Sequence, residues 1–116
     1  MTNLETAFTI DASSIKHGPG VTREVGYEMR RLGARRVMVV TDPVIAALPP
    51  VANLLESLER HHVEFTLFDR VRVEPTDTSF KEAIDVAAAG EFDGFVAIGG
   101  GSSIDTAKAA NLYSTY

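Results

Sequence analysis

Three consecutive glycines, Gly99, Gly100 and Gly101, stand where the hydrophobic period of this chain changes, and they restrict its fold more than any other stretch. Before them Phe95, Val96, Ala97 and Ile98 form a short unbroken apolar run, the pattern of a strand buried on both faces. After them the spacing turns helical: Ser102 is placed to cap the new helix, and Asp105, three residues on, offers a carboxylate to the first-turn amides. Strand, glycine turn and helix together make a seat for phosphate, because backbone amides without Cβ atoms in the way can meet an anion at the positive end of the helix. A tight strand-to-helix turn also explains glycines, although each costs roughly 0.5 to 1 kcal/mol relative to alanine in unfolded-state entropy. The stretch departs from the two common phosphate motifs. G-x-G-x-x-G would need glycine at Ile104, and a P-loop would need a G-K-[ST] ending.

A length of 116 residues predicts one domain over 1–116 with a core of its own. The net charge of -5 argues against a nucleic-acid backbone as partner. With no cysteine, disulfides and thiolate metal sites do not arise, and a reducing compartment is compatible. No apolar run approaches the roughly 20 residues of a membrane helix, and the start MTNLETAF has no secretory core, so no membrane partner and a cytoplasmic location are expected.

Along the chain, 6–17 alternates as an N-terminal hairpin or edge arm ending in His17-Gly18-Pro19-Gly20. Val21, Val25, Met29 and Leu32 then mark a helix over 22–32 that Gly33 closes. Arg30, Arg31, Arg35 and Arg36 flank that end as solvated cations relieving the helix dipole. The first clear buried strand, 37–40, runs into Thr41-Asp42-Pro43. Asp42 thus falls at a strand's carboxyl end, where open α/β sheets bind ligands, and it is equally an N-cap with Pro43 as the first helical residue. Pro49-Pro50 interrupts, and Val51, Leu54, Leu55 and Leu58 give the next helical face. His61 and His62 close it as surface residues, since adjacent helical positions diverge and no metal partner lies four residues on. A strand over 63–68, an extended loop over 71–76 and a helix from 76 to Gly90 follow, with Phe80, Ala83, Ile84, Ala87 and Ala88 expected to face inward. The alternation predicts an α/β, doubly wound, Rossmann-like parallel sheet with helices on both faces and an N-terminal β arm. A doubly wound sheet usually continues past this point, so a chain truncated at its C-terminal end is expected.

In this order, VTD-P, V-x-V-x-P-T and GGGS-x-x-D-x-A-K resemble the N-terminal dinucleotide-binding part of the iron-containing (group III) alcohol dehydrogenases. Within that family LPPV, VRVEPTD and GGGSSIDTAKAANLY most resemble the hydroxyacid-oxoacid transhydrogenases, and the likeness runs from about Phe8 to the last residue. The resemblance implies that Gly100, Gly101 and Ser102 hold the NAD diphosphate, with Gly99 supporting the turn. It implies that Asp42 hydrogen-bonds the adenosine ribose and repels a 2′-phosphate, favouring NAD over NADP. Asp105 and Lys108 match the family's D-x-x-K, Asp105 towards the nicotinamide side and Lys108 fixing the loop. Pro75 and Thr76 match its P-N-P-T region, except that Glu74 replaces the usual asparagine.

The implied reaction carries a hydride from a 4-hydroxybutyrate-type alcohol through bound NAD to a 2-oxo acid. It requires iron or zinc held by one aspartate and three histidines of a helical C-terminal domain, so neither catalytic nor metal residues are assigned within 1–116. The expected partners are NAD and that metal-binding half, and the chain alone is expected to be inactive. A second reading from another class is a non-catalytic nucleotide-binding or interaction module, a truncated chain that pairs its exposed sheet edge or uncovered apolar face with another copy as a homodimer. A receiver-like reading of Asp42 as phosphoacceptor lacks the paired acidic cluster and the late lysine.

Overall fold

In the computed structural model of the chain, residues 7–10, 14–17, 23–72 and 77–114 are described. β1 (Ala7–Ile10) and β2 (Ser14–His17) form the expected hairpin, followed by α1 (Val25–Arg31), β3 (Arg36–Val40), α2 (Pro43–Ala46) and α3 (Pro49–Arg60). β4 (Glu64–Phe68), α4 (Asp77–Gly90), β5 (Gly94–Ile98) and α5 (Gly101–Ser114) complete the order. The sheet runs β2-β1-β5-β3-β4. β3 is parallel to both β4 and β5, with Val37 beside Phe65 on one side and Gly94 on the other. The hairpin makes the sheet mixed, because β1 lies antiparallel against β5, Phe8 facing Ile98.

Strand alternation explains why helices cover both faces. Val37 and Val39 of β3 and Val96 and Ile98 of β5 pack with Val25 and Met29 of α1 and Val51, Leu54 and Leu58 of α3. Met38, Val40, Phe95 and Ala97 turn to the other face, against Ala83 and Ala87 of α4 and Ala107 and Ala110 of α5. Each fully buried side chain of this size contributes about 1.5–3 kcal/mol, so the two clusters give the parallel strands most of their stability. β4 is more open. Phe65 and Leu67 pack on the first cluster, but Glu64 and Thr66 are exposed, as suits an edge strand.

Several boundaries differ from expectation for local reasons. Leu32 is exposed and is the C-cap of α1, with Gly33 after it at φ 85, the left-handed position that commonly ends a helix. The two prolines do not interrupt: Pro49 and Pro50 are the first residues of α3, where their missing amides cost no helix hydrogen bond. Ala88 is exposed, because the inward stripe of α4 passes through Ala83 and Ala87, while Phe80 and Ile84 are half-buried. Ser102 does not cap α5. The helix starts at Gly101, and the Gly100 carbonyl accepts from the Ser103 and Ile104 amides at 3.1 and 3.2 Å. Glycine at 100 takes the turn more readily than serine at 102, so Asp105 falls beyond the first turn and is exposed there.

Candidate functional site

The strand order supplies the site. From β3 the chain goes to β4 on one side, then returns past β3 to β5 on the other, so the order reverses between β3 and β5. The loops leaving these two strands diverge at their carboxyl ends and leave a crevice, the place where open α/β sheets bind ligands. Asp42 follows β3 and Gly99 follows β5.

Thr41 fixes this junction. It is fully buried, its Oγ1 donates to the Ile98 carbonyl at 2.7 Å, and its amide donates to the Phe68 carbonyl at 2.8 Å. Its own carbonyl accepts from the Val71 amide at 3.2 Å. One residue therefore ties the ends of all three parallel strands together. In sequence Thr41 is merely a threonine after a strand, and its long-range partners are visible only in the fold.

Asp42 then uses its two carboxylate oxygens differently. Oδ1 accepts from the Ile45 amide at 2.7 Å and caps α2, with Pro43 as first helical residue. Oδ2 stands over the glycine turn, 3.7 Å from where a Cβ on Gly99 would lie. The capping role and a ligand role are thus compatible, one on each oxygen. Gly99 has φ 137, a conformation favouring glycine, and a Cβ there would come within 2.9 Å of Ser103 Oγ.

Gly101 is a glycine of another kind. A Cβ built on it meets nothing within 4 Å, and its φ is not positive, so neither packing nor backbone conformation demands glycine. What a side chain would enter is a cleft of about 280 Å³ lined by Asp42, Val71, Arg72, Gly100, Gly101, Ser102 and Ser103. The amino end of α5, with its positive dipole, opens onto that space. Among the described residues nothing obstructs an approach to the backbone there, as a bound anion requires.

Of the residues singled out in sequence, Asp42, Gly100, Gly101 and Ser102 meet in this cleft, and Gly99 shapes its floor. Asp105 and Lys108 lie farther along α5, exposed and outside the lining. Pro75 and Thr76 lie outside the described residues. Val71 and Arg72 were missed as lining residues, since an extended loop in sequence does not show which strand end it will pass. His61 is a structural residue: its Nδ1 lies 3.0 Å from the Ser57 carbonyl and its ring meets Tyr27 edge-on. Among the described residues no group of three or more His, Asp or Glu side chains is arranged to hold a metal. Among them, too, no helix is long and apolar enough to cross a membrane.

The chain is 52% identical over 109 residues to the mitochondrial hydroxyacid-oxoacid transhydrogenase of Bos taurus, covering 94% of this chain and 23% of that protein. It is 53% identical over 111 residues to the protein of the same name from Xenopus tropicalis, covering 96% and 24%. The chain thus spans about a quarter of the length of these relatives. Among solved structures it superposes on NADH-dependent butanol dehydrogenase A of Thermotoga maritima with a TM-score of 0.76 and 27% identity, over 85% of this chain and 25% of that one. An alcohol dehydrogenase from Oenococcus oeni gives 0.69 and 30%, over 78% and 24%. The expected cytoplasmic location does not stand, because these transhydrogenases are mitochondrial. It rested on the lack of a secretory apolar core, which does not test for import into an organelle by an amphipathic, arginine-rich segment. Residues 12–116 match the iron-containing alcohol dehydrogenase family, and the chain belongs to it.

Proposed function

We propose that this chain is the NAD-binding part of an iron-containing alcohol dehydrogenase of the hydroxyacid-oxoacid transhydrogenase type, working in a mitochondrial setting as its relatives do. The whole protein passes a hydride from a 4-hydroxybutyrate-type alcohol through bound NAD to a 2-oxo acid. The residues of this chain bind and orient that cofactor: the turn at Gly100, Gly101 and Ser102 receives the diphosphate, and Asp42 Oδ2 receives the adenosine ribose. NAD, when bound, supplies the hydride acceptor and donor. Asp105 and Lys108 extend the binding surface along α5, and Pro75 and Thr76 are assigned to the cofactor by their match to the family's motif.

The observation that carries this reading is Gly101. A Cβ there would meet nothing among the described residues, yet its absence keeps the head of α5 open to the cleft. Gly101→Val is the test. The variant is expected to keep the wild-type melting temperature to within a few degrees while losing NAD binding by at least about tenfold in calorimetry, the loss of one charge-assisted contact set. Wild-type NAD affinity in a folded Gly101→Val protein would mean that the turn is structural only.

A further inference from the structure

Two arginines follow β4, and the structure treats them differently. Arg70 is occupied: its guanidinium lies 4.9 Å over the Phe68 ring and its Nε is 3.6 Å from Glu82 Oε1. Arg72 is exposed, lines the same cleft as Gly100, Gly101, Ser102 and Ser103, and has no ion-pair partner among the described residues. Its position is held from the backbone, because the neighbouring Val71 is buried and its amide is bonded to the Thr41 carbonyl. The cation therefore issues from a fixed point beside the positive end of α5, in a chain whose net charge is -5.

A solvated arginine without a partner, fixed beside a helix amino end, suits an anion with several oxygens. Resting on the NAD reading of this cleft, we propose that Arg72 pairs with the cofactor's diphosphate in the cleft it lines together with the glycine turn. Arg72 then binds the bridging phosphates, while Asp42 keeps the ribose end free of a 2′-phosphate.

The experiment measures NAD and NADP affinity by calorimetry, at low and high ionic strength, for wild type, Arg72→Ala and Arg72→Lys, each with a thermal melt. Arg72→Ala is expected to weaken NAD about tenfold at low salt, with the gap closing at high salt as screening removes the wild-type advantage. Arg72→Lys recovers part of the loss, since a point charge replaces a bidentate fork. The melting temperature stays at the wild-type value, because among the described residues Arg72 makes no side-chain hydrogen bond or ion pair that the substitution would remove. Equal NAD affinity in Arg72→Ala and wild type overturns the assignment, and so does a loss confined to NADP, which would place Arg72 at the 2′-phosphate. A wild-type chain that binds NAD in neither salt condition overturns the cofactor reading itself, an outcome distinct from either of these.

Discussion

At the scale of single residues, Asp42 and Thr41 show how one junction secures the fold beside the cleft proposed for the cofactor. Asp42 caps α2 through Oδ1 and faces the glycine turn with Oδ2, so its two roles separate by substitution. Asp42→Ala is expected to lose about 1 kcal/mol of stability, the usual worth of an N-cap. Asp42→Asn keeps a capping oxygen and removes only the charge. It should melt near wild type but bind NADP more nearly as well as NAD, since repulsion of a 2′-phosphate goes with the carboxylate. An unchanged NAD to NADP affinity ratio in the Asn variant would leave Asp42 a cap and nothing more. Thr41→Val preserves shape and deletes the hydroxyl that bonds the Ile98 carbonyl. The buried bond is expected to cost about 1–2 kcal/mol, read as a lower urea midpoint with an unchanged slope. NAD affinity should fall severalfold with it, because the same bond holds the end of β3 against the end of β5.

At the scale of elements, strand and helix identities were legible because each apolar pattern had a matching partner. The unbroken run at 95–98 became a strand buried on both faces, and the stripe Val51, Leu54, Leu58 became the inner face of α3. Less legible was anything decided by contact between distant segments. Gly26 illustrates this: in sequence it weakens a helix, whereas in the fold a Cβ there would collide with the Ser57 carbonyl oxygen, so α1 and α3 cross backbone to backbone. Ser57 seals the crossing, accepting from the Gly26 amide at 2.9 Å and donating to the Arg23 carbonyl at 2.8 Å. Gly26→Ala is therefore expected to destabilise by about 3 kcal/mol despite alanine's better helix propensity, because the obstacle is main chain and cannot rotate away. A thermal melt of that variant at or above the wild-type value would show that the helices can part at little cost. The start of α5 has a related cause: side-chain chemistry predicts a cap at Ser102, but the helix begins at Gly101 and the Gly100 carbonyl accepts from the Ser103 and Ile104 amides. In the site, Asp42 and the glycines were readable from their place after strands, while Thr41 and Arg72 depended on which loops the β3–β5 reversal brings together.

At the scale of the whole molecule, the cleft sets how much function this chain holds by itself. Its volume of about 280 Å³ lies just under the roughly 300–1,000 Å³ that encloses a drug-sized ligand, room for a diphosphate rather than for a whole dinucleotide. Oxidising an alcohol by hydride transfer also demands that the hydroxyl proton leave, which a Lewis acid or a positioned base must assist. Among the described residues no cluster of His, Asp and Glu is built to hold the first. No histidine lines the cleft to act as the second, and Asp42 Oδ1 is already committed to the Ile45 amide. Binding and turnover should accordingly come apart. The isolated chain is expected to bind NAD in calorimetry, with an affinity that falls as salt rises, yet to produce no NADH absorbance from 4-hydroxybutyrate and NAD above a protein-free control, with or without added iron or zinc. Turnover by the 116-residue chain would place an alcohol-activating group within it, a group that no cluster of His, Asp and Glu among the described residues supplies.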